Sequence, residues 1–190
     1  AADFVSQIAS TGADLIKLMV TGGVLDAVRQ GEPGVLKMEP ALIKAACDRA
    51  HALGLKVAAH VESPEGVRAA LENGVDTIEH GAMPDESTLA LFRETGASLV
   101  TTISPALSYA LFDTSVSHAT PMQKYNGKIV MDGIVACAKA CLSAMFYSLT
   151  IKSIGNLGVH LLQLTRVACV IHHRRVEVGF RNSVVLQNAD

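Results

Sequence analysis

No excess of positive charge marks this chain. Its 190 residues set 16 Lys and Arg against 18 Asp and Glu, a net charge of -2, which gives no long-range attraction for nucleic acid or anionic lipid. Charged residues are only 18% and apolar ones 49%, and no heptad or collagen period runs through the text; a disordered tail and a fibrous protein are both excluded. No Cys-x-x-Cys pair or zinc-finger spacing links Cys47, Cys137, Cys141 and Cys169. They read as reduced, buried thiols of a cytoplasmic protein. The first residues, Ala-Ala-Asp-Phe, lack a start Met, a basic segment and an apolar segment, so no signal peptide is expected and the chain reads as beginning mid-protein. The most apolar stretch, 133–151, contains Lys139, which costs about 2.5 to 3.5 kcal/mol near a bilayer centre. A helix followed by a buried strand is expected there, not a membrane span.

What is present is an alternation. Residues 13–20 form a short apolar run bounded by Gly12 and Thr21-Gly22-Gly23, the pattern of a strand buried on both faces. Residues 39–53 carry helical spacing through Leu42, Ile43, Ala46 and Ala50 and stop at Gly54. A strand over 56–61, a helix over 65–72 opened by Ser63-Pro64, a strand over 76–80, a helix from Asp85 through Arg93 and a strand over 98–102 follow. Strand, helix, strand, helix with short connections implies parallel strands joined by right-handed crossovers, in an open doubly wound sheet or part of a (β/α)8 barrel. The doubly wound alternative would bring a glycine-rich phosphate loop after the first strand, and Thr21-Gly22-Gly23 lacks the further glycines.

Three polar anomalies decide where chemistry would sit. Lys17, His60 and His80 each fall at or near the C-terminal end of a predicted strand, the end where barrels gather their catalytic side chains. Two neutral imidazoles from adjacent strands suit a divalent cation such as zinc. A lysine in an apolar strand must lower its pKa, snorkel to solvent, or find a partner, with Asp14 and Glu79 the nearest carboxylates by spacing. His118 and Tyr125 lie in the long segment 103–127, read as a solvated loop of the kind that can form a lid and touch substrate. Thr21-Gly22-Gly23 reads as a tight turn.

The blocks Gly12-Ala-Asp-Leu-Ile-Lys-Leu-Met-Val-Thr-Gly-Gly23, Ala50-His-Ala-Leu-Gly-Leu-Lys-Val-Ala-Ala-His60 and Ala70-Leu-Glu-Asn-Gly-Val-Asp-Thr-Ile-Glu-His-Gly81, in this order, resemble the amidohydrolase superfamily. The resemblance is to the branch of imidazolonepropionase, metal-dependent Xaa-Pro dipeptidases and arginine carboxypeptidases, with good register over about 1–142. It implies a partial (β/α)8 barrel, a fragment covering about the fourth to eighth strands. It further implies two divalent metals, with Lys17 N-carboxylated as a bridging ligand and His60 and His80 completing the second metal. The implied chemistry is hydrolysis of a peptide or cyclic amide C–N bond.

Two parts of the family pattern are missing from the text. No His-x-His pair, the expected ligands of the first metal, occurs anywhere, and no Asp lies between Asp132 and Asp190 to supply the late-strand carboxylate. From Ala144 the wording departs from the resemblance, through a frameshift or through divergence, so 143–190 is set apart from the barrel segment 1–142. Within the tail, 176–179 and 183–186 echo a returning β-hairpin, and His172 and His173 read as loop residues. The isolated chain is therefore expected to bind metal weakly and to hydrolyse little. The rival reading is a noncatalytic half-barrel that associates with another chain or another copy through open sheet edges.

Overall fold

The computed structural model describes residues 1–149 and the short strands 170–172, 175–177 and 184–186. After helix α1 (Ala2–Ser10), three βα repeats and a fourth strand follow: β1 (Leu15–Met19), α2 (Pro40–Ala52), β2 (Lys56–Val61), α3 (Pro64–Glu72), β3 (Thr77–His80), α4 (Glu86–Thr95) and β4 (Ser98–Val100). These four strands run parallel, with Lys17 beside Ala58, Met19 beside His60 and His60 beside Glu79. Local chemistry sets the boundaries. Ser63 accepts a hydrogen bond from the Gly66 N–H at 3.2 Å and Pro64 opens α3, while Asp85 accepts from the Thr88 N–H at 2.7 Å to start α4. Gly96 ends α4 in the left-handed conformation at φ +68°.

Burial follows the strand period of two. Ile16, Leu18, Val57, Ala59, Val61, Ile78 and Leu99 point into one core with Ile43, Ala46, Cys47, Ala50, Val67, Ala70 and Leu71 of the helices, each large side chain contributing about 1.5–3 kcal/mol by leaving water. The other face of β1, with Leu15, Lys17 and Met19, is only half-buried. This corrects the expectation of a strand buried on both faces. The helices cover one side of the sheet, and the uncovered side is where the polar residues of the repeats stand.

The segment expected as a solvated loop over 103–127 is mostly helical: α5 (Ser104–Leu111), α6 (Thr114–Ser117) and the start of α7 (Pro121–Leu149). Pro105 and Pro121 sit in first turns, where a proline starts a helix, and the Asp113 carboxylate accepts from the Ser115 N–H. Among the described residues no strand follows Leu142, because α7 runs on through Leu149. From Ala136 to Leu149 the text holds no proline, glycine or β-branched residue, so helix propensity is uninterrupted over that stretch. One stripe of α7, Asn126, Val130, Ile134, Cys137 and Cys141, is buried. Among the described residues no helix is long and apolar enough to cross a membrane.

Three short strands complete the sheet, ordered β6-β5-β4-β3-β2-β1-β7. β5 (Val170–His172) is antiparallel to β4, β6 (Arg175–Glu177) is antiparallel to β5, and β7 (Val184–Leu186) lies parallel to β1. The expected hairpin between 176–179 and 183–186 is thus not formed; those segments border opposite edges. His172 lies in β5, not a loop, and β7 occupies the β1 edge expected to be open. His173 and Cys169 lie outside the described residues.

Candidate metal centre

The uncovered sheet face is layered by the strand register. Lys17, Ala58 and Thr77 form one layer, and Met19, His60 and Glu79 the next, nearer the C-terminal strand ends. Beyond them opens a cleft of about 700 Å³, lined by Met19, Thr21–Asp26, Lys37, His60, Glu62, His80, Pro105, Ala106 and Tyr109. His80 stands in register with Val61, whose side chain is buried on the helix side. Strict alternation would send the imidazole there too. Instead His80 takes φ +67°, with Gly81 at φ +84°, and its ring comes to 4.8 Å from that of His60, edge to face at 73°. A left-handed backbone at a non-glycine residue is uncommon and gathers at functional sites.

Both rings are held uncharged. Burial, then the neighbouring His60, push His80 down to about 4, against the pull of the Thr102 carbonyl; burial and Lys17 lower His60. The Nδ1 of His80 is 3.1 Å from the Thr102 carbonyl oxygen. A neutral ring donating there leaves its Nε2 lone pair for a ligand, the arrangement that orients metal-binding histidines. His60 Nε2 is 3.4 Å from the Gly22 carbonyl oxygen, a long and weak contact.

Glu62 joins them. The ligand atoms of His60, Glu62 and His80 all lie within 4.8 Å of one another, and no other group of three or more His, Cys, Asp or Glu is so gathered among the described residues. Burial pushes the Glu62 carboxyl up to about 7, although the Val24 N–H holds it; its Oε2 is buried with no hydrogen-bond partner. The Thr21-Gly22-Gly23 turn does more than reverse the chain. The buried Thr21 hydroxyl accepts from the Glu62 N–H at 3.0 Å, and a Cβ at Gly23 would lie 2.8 Å from Glu62 Oε2 and 3.4 Å from His60 Nε2. Asp26 accepts from the Gly23 N–H at 2.6 Å and pairs with Lys37 at 3.3 Å, fixing the turn. Sequence reasoning missed Glu62; its signal was the two-residue step from His60, which keeps both on one strand face.

Lys17 stands one layer below the mouth and is not among the lining residues. Burial lowers it to about 8, opposed by the charge of Glu79, the partner the spacing suggested. It is close enough to depress both histidines. His118, at φ +52° after α6, and the exposed Tyr125 of α7 do not line the cleft; Tyr109 does.

No protein-family model matches the sequence. A prolidase structure from Bifidobacterium longum, described as putative, is 37% identical, covering 75% of this chain and 35% of its own, at a TM-score of 0.68. A Xaa-Pro dipeptidase structure with bound methionine is 32% identical over 69% of this chain and 33% of its own, at a TM-score of 0.56. The chain matches one part of a TIM-barrel-like amidohydrolase fold. Ochratoxinase from Aspergillus niger, a curated relative, is 33% identical over 91 residues, 48% of this chain and 18% of that enzyme. The chain thus spans less than a fifth of the curated relatives it matches and about a third of these solved structures. In amidohydrolase terms the four parallel strands are part of a TIM-barrel-like sheet. The residues present fit a divalent cation: two uncharged imidazoles and an unpartnered buried carboxylate oxygen converge on one cleft.

Proposed function

We propose that this chain is the metal-holding part of a hydrolase acting on peptide or amide C–N bonds, with Xaa-Pro dipeptides as the first substrates to try. The observation that carries this reading is the convergence of His60, Glu62 and His80 at the C-terminal ends of parallel strands, in a frame similar to prolidases. A divalent cation bound there, zinc by its liking for imidazole and carboxylate, supplies Lewis acidity toward water and an amide carbonyl. The protein's own part is positional. His80 is aimed by the Thr102 carbonyl and His60 is held uncharged, while Val24, Ala106 and Tyr109 give the cleft an apolar wall that excludes water from a bound substrate.

The 190 residues contain no His-x-His pair and no Asp between Asp132 and Asp190, so the chain by itself is expected to hold one cation and to turn over near background. The test titrates it with Zn²⁺ in the presence of bicarbonate, measures bound metal by equilibrium dialysis, and assays Xaa-Pro and Xaa-Arg dipeptides beside His60→Ala. Weak zinc binding that His60→Ala loses, with turnover near background, is the expected result. Zinc binding unaffected by His60→Ala, or no zinc binding at any concentration tried, would sink the reading, and His60-dependent turnover would show that these residues suffice for catalysis.

A further inference from the structure

We propose that Glu62 is the anionic ligand of the cation in this cleft, completing a His60, Glu62, His80 set that needs no modified lysine. The inference rests on the hydrolase reading for the existence of the site and goes beyond it in the donor that supplies charge. Its main support is an unmet need: Glu62 Oε2 is buried with no partner, and a buried carboxylate oxygen without a donor is costly. No protein donor reaches that oxygen, whereas a divalent ion held between it and the two imidazole rings would meet it.

The surroundings hold Glu62 at its backbone and at its carboxylate. The Thr21 hydroxyl fixes its backbone N–H and the Val24 N–H holds the carboxylate. A Cβ at Gly34 would come within 2.4 Å of the Glu62 carbonyl group, so the loop can lie against Glu62 only with glycine there. Gly23 leaves open the space in front of both Glu62 Oε2 and His60 Nε2. Lys17 is placed differently: it lies in the layer of Ala58, below the cleft lining.

The test is calorimetric titration of the 190-residue chain with Co²⁺, in CO2-free buffer and with bicarbonate, for the wild type, Glu62→Gln, Lys17→Met and His60→Ala. Glu62→Gln is expected to weaken binding at least about tenfold, a loss even supporting residues of metal sites can cause, while Lys17→Met and CO2 removal leave affinity unchanged. Glu62→Gln binding as tightly as wild type while His60→Ala abolishes binding overturns the role of Glu62 and leaves the hydrolase reading standing. Binding lost with Lys17→Met or without CO2 overturns it by assigning the charge to a carboxylated lysine. Binding indifferent to His60→Ala overturns the site itself. Should circular dichroism show Glu62→Gln unfolded, Gly23→Ala carries the test: its methyl displaces the Glu62 oxygen, the same weakening is expected, and unchanged affinity contradicts the proposal.

Discussion

Asp76 shows how one carboxylate at a strand entrance joins two repeats. It accepts hydrogen bonds from the Val57 N–H and from His51, each at 2.8 Å, and from the Lys56 ammonium. Burial works to raise its pKa, but these donors outweigh burial and hold it below the ordinary carboxylate value. A depressed carboxylate stabilises the fold above its unfolded pKa, and that contribution disappears as pH falls through the folded value. Asp76→Ala is expected to cost about 1.5–3 kcal/mol at neutral pH, with the difference from wild type closing as pH drops below the ordinary carboxylate range. Urea unfolding at neutral and acid pH checks this; a variant as stable as wild type at neutral pH would contradict it. At this same scale the histidines were legible because an imidazole ending an apolar strand is out of place. Glu62 was not, since a carboxylate just before Ser63-Pro64 reads as part of a solvated helix start. Its burial comes from the loop 22–34 folding back over it, a contact no local pattern records.

Among the elements, the loop between β1 and α2 depends on a residue far away in sequence. Asn126 on α7 is fully buried; its Oδ1 accepts from the Gly31 N–H at 2.7 Å and its Nδ2 donates to the Arg29 carbonyl at 3.0 Å. Asn126→Ala removes both hydrogen bonds and is expected to cost about 1–3 kcal/mol, with faster hydrogen exchange at Gly31 as the local sign. Exchange at Gly31 no faster than in wild type would contradict the clamp. At the start of α3, Ser63→Ala removes a cap and should cost about 1 kcal/mol, read from thermal unfolding; no loss would show that Pro64 alone sets that start. The helix and strand boundaries from 15 to 100 were readable because caps, glycine stops and apolar period agree at each end. The region 103–149 was misread where prolines serve as helix starters and where an alanine-rich run extends α7 past Leu142.

For the whole molecule, the alternation of strands and helices and the shared direction of β1 to β4 followed from segment order, since short crossovers leave parallel pairing as the outcome. The sheet edges did not follow. β7 beside β1 and β5 beside β4 are long-range pairings, specified by partners distant in the chain and not by the local text. The layered register brings His60 and Glu79 level with Met19 and leaves Lys17 one layer deeper, so the cleft is centred on the histidines and Glu62. The most direct measurement is anomalous diffraction at the cobalt edge from crystals of the 190-residue chain grown with Co²⁺. A single strong peak about 2.0–2.2 Å from an imidazole nitrogen of both His60 and His80 and from a Glu62 oxygen is the predicted result, the range typical of such ligands. No peak in this cleft, or cobalt bound at other histidines in its place, would contradict the account.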